Sequence, residues 1–177
     1  MIITNNEELL RVRCEDVSPD EVGALVETLE IELDRANRLG VGGIGLAAPQ
    51  IDIRKNIAII RLNNANFNLI NCKIENSYDP VIFRQEGCLS FPGRIEDTIR
   101  FQEIVISNNL GFPHSFIATG LVAVVCQHEI DHLNGSLFMD RAAPKIMPIK
   151  NKMRPNDLCL CGSGKKYKKC HQGEKYE

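Results

Sequence analysis

The segment Val125-Cys126-Gln127-His128-Glu129-Ile130-Asp131-His132-Leu133-Asn134-Gly135-Ser136 constrains this chain more than any other. Two histidines four positions apart can grip one metal ion if the backbone between them is helical, because residues i and i+4 project from one face. Glu129, beside the first histidine, is then placed to take a proton from a metal-bound water. The helix is expected to begin near Thr119 and to carry Leu121, Val124, Val125 and His128 on one face. Asn134-Gly135 supplies its stop signal.

A metal site for hydrolysis needs a third protein ligand and an open fourth position. The extended metzincin pattern would put a histidine at position 138, where the chain has Phe138. The other common protease scheme takes a downstream glutamate, and beyond position 140 only Glu174 and Glu177 remain. The best upstream candidate is Cys88, within Glu86-Gly87-Cys88-Leu89-Ser90, where Gly87 frees the backbone. A buried structural cysteine is the alternative for Cys88, and it is the reading taken for Cys14, Cys72 and Cys126. A third segment, Gly43-Ile44-Gly45-Leu46-Ala47-Ala48-Pro49-Gln50, lets a substrate backbone come close, and the Gln50 amide can donate to a developing oxyanion. It lacks the spacing of a phosphate or dinucleotide loop.

Around these segments the pattern reads as α+β. Ser18-Pro19-Asp20-Glu21 predicts a capped helix start, followed by apolar residues at helical spacing from Val22 to Ala36 and a stop at Gly40. β-type runs follow at 56–62, 67–74, 78–83, 98–107 and 112–119, the last two flanking a turn at Asn108-Asn109-Leu110-Gly111. Antiparallel or mixed sheets around a central helix bearing the two histidines are the expected architecture. No run approaches the ~20 apolar residues of a membrane span, so no membrane partner is expected.

The net charge of -2 hides a division. From Lys150 onward there are eight basic and three acidic side chains, net +5, against 13 basic and 20 acidic before it, net -7. Three of the seven cysteines lie in that basic tail. An odd cysteine count without a secretion signal reads as metal binding or catalysis in a reducing, cytoplasmic compartment, not as a disulfide framework. The proline-punctuated change of composition divides the chain into a catalytic domain, 1–148, and a tail, 149–177.

The three segments, in this order, resemble the peptide deformylase family: G-x-G-L-A-A-x-Q at 43–50, E-G-C-L-S at 86–90 and Q-H-E-x-D-H-L-x-G at 127–135. The resemblance covers roughly residues 5–143. It implies a peptide-deformylase-like fold and hydrolysis of the N-formyl group from the formyl-methionine of nascent polypeptides, releasing formate. It further implies Cys88, His128 and His132 as ligands of one divalent metal, Fe²⁺ first, with Zn²⁺, Ni²⁺ or Co²⁺ able to take its place. Glu129 would be general base and then acid, and Gln50 with the backbone N–H of Leu89 would stabilise the oxyanion. Gly43, Ile44 and Gly45 would pair with the substrate backbone, beside Glu86 and Gly87. Leu121, Val124 and Val125, opposite Ile44, would line the methionine pocket, and Arg94 would steady the peptide. Cys72 stands where relatives often have proline. The resemblance stops near Arg141, where bacterial relatives continue into a helix that contacts the ribosome.

From Arg154 to His171 the tail resembles the SEC-C motif of the preprotein translocase ATPase. The resemblance implies a small zinc knuckle with Cys159, Cys161, Cys170 and His171 as ligands of a structural Zn²⁺. Lys165, Lys166, Lys168 and Lys169 would present positive charge to an anionic partner such as the ribosome, RNA or an acidic protein surface. Two other readings compete with a deformylase: a zinc metallopeptidase, which requires a third ligand other than Cys88, and a non-catalytic metal-binding adaptor.

Overall fold

A computed structural model describes residues 1–144, 155–156 and 165–169. Contacts divide the chain into two units, Met1–Ala143 and Pro144–Glu177.

The first unit opens with a single helical turn, α1 (Glu7–Leu10), capped by the Asn6 side chain, which accepts the Leu9 N–H at 3.2 Å. The long helix α2 spans Val22–Arg38, starting three residues later than the sequence predicts. Ser18 to Glu21 form a turn instead. There the Glu21 carboxylate accepts the Ser18 N–H at 2.9 Å and the Ser18 hydroxyl at 2.7 Å, which is half of a capping box. The other end follows expectation. Gly40 adopts φ +78, its N–H donates to Asn37 C=O at 3.0 Å and Val41 N–H donates to Ala36 C=O at 3.1 Å, a Schellman cap.

Two antiparallel three-stranded sheets follow, β1 (Gly45–Ala47), β2 (Ile57–Leu62) and β3 (Ala65–Ile70), then β4 (Cys72–Gly87), β5 (Ile95–Asn108) and β6 (Ser115–Thr119). The predicted run 67–74 is two strands, because Asn71 takes φ +49 and turns the chain from one sheet into the other. Its amide holds that turn: Oδ1 accepts Val17 N–H at 2.7 Å and Nδ2 donates to Val17 C=O at 2.8 Å. The short run expected at 78–83 belongs to the 16-residue β4, which stays paired with β5 through irregularities at Ile74/Asn76 and Phe83/Glu86.

Helix α3 (Gly120–Leu133) carries the two histidines, with Thr119 and Asn134 as its caps. The sequence predicts one apolar face, but ten of its fourteen residues are buried, so both sides of the helix are covered. Ala123, Val125, Cys126, Ile130 and Leu133 share one core with Ala47, Ala58, Ile60 and Leu69 of the first sheet and Ile104, Ile106 and Ala118 of the second. Helix α2 closes the far side of the first sheet through Leu29 and Leu33 against Ile57 and Ile59. Cys14, Cys72 and Cys126 are free thiols, and burial raises their pKa, to about 11 for Cys14 and about 12 for Cys72, so they are inert packing groups. Among the described residues no helix is long and apolar enough to cross a membrane.

Asn71 generates the first prediction. Asn71→Ala forfeits two hydrogen bonds and keeps a side chain in the left-handed region, so unfolding free energy should fall by about 2–4 kcal/mol in denaturant titration. Asn71→Gly, which tolerates the backbone, should recover about 1 kcal/mol of that loss.

Candidate metal centre and its cleft

Helix α3 sets His128 and His132 one turn apart, with ring centroids 5.0 Å from each other. The turn after β4 brings Cys88 Sγ to 3.2 Å from His132 Nε2. One ligand atom each from Cys88, His128 and His132 fall within 4.8 Å of one another, close enough for a single ion bonded at about 2.0–2.3 Å. The donor chemistry fits a divalent ion of the iron-to-zinc series: one thiolate, two imidazoles and space on the cleft side. Among the described residues, two buried side-chain atoms lack a protein partner, Glu129 Oε2 and His132 Nδ1. Such an orphaned carboxylate oxygen beside three ligand atoms marks a place for bound water or substrate.

Electrostatics prepare the ligands differently. Burial, reinforced by the charge of His128, drives the His132 pKa far down and keeps it neutral, as a ligand must be. Burial opposes charge on His128 too, but hydrogen bonds with Cys88 and Glu86 outweigh it and raise its pKa to about 10; a bound ion would replace that proton. Burial pushes Glu129 up to about 7 despite the opposing charge of His128. The result is a carboxyl group suited to exchanging protons near neutrality.

Glu86 orients the site. Its Oε1 sits 2.6 Å from His128 Nδ1, which directs Nε2 of that ring to the metal position. Arg100, itself buried, donates to both Glu86 oxygens at 2.8 and 2.6 Å and to Asp131 at 2.6 Å. Thr98 also donates to Glu86, and Arg141 donates to Asp131 at 2.7 Å. Burial alone would raise the Glu86 pKa, but the bonds from His128 and Arg100 hold it at about 2. Glu86 therefore borders the cleft with its carboxylate engaged by His128 and Arg100.

The oxyanion candidates lie on the other side. Gln50, in the 3₁₀ turn Ala48–Ile51, is locked by Ala47 N–H donating to its Oε1 at 2.8 Å. Its Nε2 lies 3.2 Å from Ser90 Oγ and 3.6 Å from Cys88 Sγ. Two glycines admit these neighbours. A Cβ at Gly45 would stand 2.5 Å from Glu129 Oε1, and one at Gly43 would stand 2.7 Å from Leu89 Cδ1. Gly87, expected to be the permissive glycine, has room for a Cβ, with nothing nearer than 3.8 Å.

A cleft of about 450 Å³ opens onto the centre. Gly43, Ile44 and Gly45 border it from the β1 side, Glu86, Gly87, Leu89 and Arg94 from the cysteine turn, and Leu121, Val124 and Val125 from α3. Val124 and Val125 are buried, while Ile44 and Leu121 are exposed at its mouth. Arg94 is within 3.5 Å of Glu96 and 3.8 Å of Glu7. Phe138, where a metzincin would have its third histidine, packs on His128 with centroids 6.0 Å apart.

Sequence reasoning missed Thr98, Arg100, Asp131 and Arg141, and also Phe83 and Ile95 on the cleft wall. A signal existed for Arg100: alternation along β5 places it in phase with Thr98, Ile104 and Ile106 on the buried face. The tail candidates Cys159, Cys161, Cys170 and His171 lie outside the described residues. Within the tail, Tyr167–Lys169 form a 3₁₀ turn, and Lys166, Lys168 and Lys169 are exposed.

Because Glu86 fixes the His128 ring, Glu86→Gln should weaken metal binding by about 10–100-fold, read by competition with a chromophoric chelator. An unchanged metal affinity would show that His128 needs no such partner.

A sequence profile of the family described as polypeptide deformylase matches residues 1–146, and the SEC-C motif matches 156–173. Peptide deformylase 1 of Pseudomonas syringae pv. tomato is 42% identical over 103 residues, 55% of this chain and 61% of that protein. Peptide deformylase of Prochlorococcus marinus strain NATL1A is 39% identical over 123 residues, 66% of this chain and 60% of that protein. The chain thus spans about three fifths of the length of the curated relatives it matches. Among solved structures, a peptide deformylase from Synechococcus elongatus in complex with actinonin superposes with TM-score 0.72 at 37% identity, covering 82% of this chain and 79% of that one. The Thermotoga maritima enzyme gives TM-score 0.71 at 32% identity, covering 81% and 97%. With the profile matching most of its length, the chain belongs to the polypeptide deformylase family.

Proposed function

We propose that this protein is a peptide deformylase, a metal-dependent hydrolase that removes the formyl group from the N-terminal formyl-methionine of nascent chains in the cytoplasm. The observation that carries the reading is the meeting of three groups at one cleft. Cys88, His128 and His132 stand close enough to share an ion, Glu129 has an unpartnered buried oxygen, and Gln50 Nε2 lies 3.6 Å from Cys88 Sγ.

Cys88, His128 and His132 would hold the divalent ion, which when bound would supply Lewis acidity to the formyl carbonyl and lower the pKa of the attacking water. Glu129 accepts the proton that this water loses and delivers it to the departing amine as the C–N bond breaks, leaving formate and a free methionine N-terminus. Gln50 Nε2 and the Leu89 N–H donate to the oxygen that becomes negative in the tetrahedral transition state. Val124 and Val125 floor the methionine pocket, Ile44 and Leu121 form its mouth, and Arg94 meets the peptide beyond it. Fe²⁺ is the proposed ion, with Zn²⁺, Ni²⁺ or Co²⁺ as working substitutes.

The division into a catalytic domain, 1–148, and a tail, 149–177, is supported by the separation of contacts at Ala143 and Pro144. In the tail, Cys159, Cys161, Cys170 and His171 would hold a structural Zn²⁺, as the SEC-C match over 156–173 supports. The lysines around Tyr167 would then dock the enzyme on an anionic surface such as the ribosome.

Formate release from formyl-Met-Ala-Ser tests the activity. The intact protein should release formate without cleaving the peptide, and Glu129→Ala or removal of metal by a chelator should abolish it. Gln50→Ala should lose about 10²–10³ in kcat with its metal retained. Cleavage between residues of the peptide would overturn the reading in favour of a peptidase. Co-sedimentation with ribosomes tests the tail: the intact chain should bind and be released by rising salt, while protein truncated after Pro144 should not bind. Equal sedimentation of both forms would rule the docking role out.

A further inference from the structure

The rim of the cleft is made of chain that ought not to hold its shape. Between the end of α2 and the start of β1 run Gly40-Val41-Gly42-Gly43, three glycines in four residues. Gly40 and Gly42 both have positive φ, +78 and +69. Glycine loses more conformational freedom on ordering than any other residue. Yet Val41, Gly42 and Gly43 all border the cleft.

One side chain fastens this segment. Asn37, in the last turn of α2, accepts the Gly43 N–H on Oδ1 at 2.6 Å and donates from Nδ2 to the Gly43 C=O at 3.2 Å. Its amide thus pairs with Gly43 as a neighbouring strand would. The contact also holds Gly43 where a Cβ would meet Leu33 and Leu89 at 2.8 and 2.7 Å.

The same contact fixes the length of the open strand edge. Arg61 N–H donates to Ile44 C=O at 2.8 Å, so Ile44 directs its carbonyl to β2. Gly45, opposite Ile60 in the next position of the antiparallel ladder, then turns its N–H and C=O outward. The outward N–H groups of the residues on either side are already engaged. Gly43 is held by Asn37, and the Ala47 N–H donates to Gln50 Oε1 at 2.8 Å.

We propose that Asn37 is a positioning residue of the peptide cleft: it fixes the glycine rim that precedes Gly45, so the outward backbone groups of Gly45 meet the substrate in a set position. The proposal rests on the reading of the cleft as a formyl-peptide site, and its test separates the two.

Asn37 is exposed and its side-chain amide bonds to Gly43 and not to a ligand candidate or Glu129, so its replacement leaves the chemistry in place. Asn37→Ala should raise KM for formyl-Met-Ala-Ser roughly tenfold, keep kcat within about twofold and leave metal content unchanged. Asn37→Asp keeps the acceptor for the Gly43 N–H and loses the donor, so its KM should fall between the two. Backbone hydrogen exchange gives a readout independent of activity: the Gly43 amide should exchange about tenfold faster in Asn37→Ala than in the natural protein. An unchanged KM, or a loss confined to kcat, would overturn the proposal. If the natural protein releases no formate, the activity reading fails instead, and exchange alone decides: an unchanged Gly43 amide overturns the clamp.

Discussion

A single buried guanidinium organises this molecule. Arg100 on β5 reaches Glu86 at the end of β4 and Asp131 on α3, each within hydrogen-bonding distance. Isolated charges of this kind are too costly to bury; as a paired and fully hydrogen-bonded group they tolerate the interior while remaining intolerant of any lost partner. Three elements therefore keep one mutual geometry, and Glu86 hands that geometry on to His128. The candidate metal site takes its geometry from an ion pair that lies outside its three ligand candidates.

Gln127 adds a second fastening between the same helix and strand. Its side chain accepts the Phe101 N–H at 2.9 Å and donates to the Phe101 C=O at 2.8 Å, acting as a piece of strand at the point where β6 no longer covers β5. With apolar contacts from both sheets around it, α3 is held by packing, by charge and by backbone pairing at once. Each ligand on that helix can then be aimed without further support from loops.

The chemistry was legible in the sequence because it sits in short local patterns. Two histidines on one helical turn, a cysteine in a glycine-flanked turn and a glutamine after a glycine run are each readable from residue type and spacing. Their meeting was not, since Cys88 and His132 come together only through the pairing of β4 with β5 and the packing of α3. Arg100, Asp131 and Arg141 escaped notice because a charged residue in an amphipathic strand or helix ordinarily faces solvent. Strand boundaries failed at Asn71 for a related reason: β-type residues continue on both sides, and only the backbone turn divides them. The start of α2 slipped although Glu21 makes the expected bond to the Ser18 N–H, because Ser18 to Glu21 close a turn before the helix. The tail remains readable only as a pattern of cysteines, histidine and lysines.

The turn at Asn71 has a mechanical consequence. Strands β3 and β4 are separated by that one residue, and its amide is bonded on both sides to Val17. A joint so short leaves the sheets no slack with which to swing apart. The cleft lies between walls drawn from both sheets, so those walls keep one spacing and entry depends on its rim. A rigid jaw of this kind would suit the proposed substrate, the loose end of a growing chain, which would then be the mobile partner.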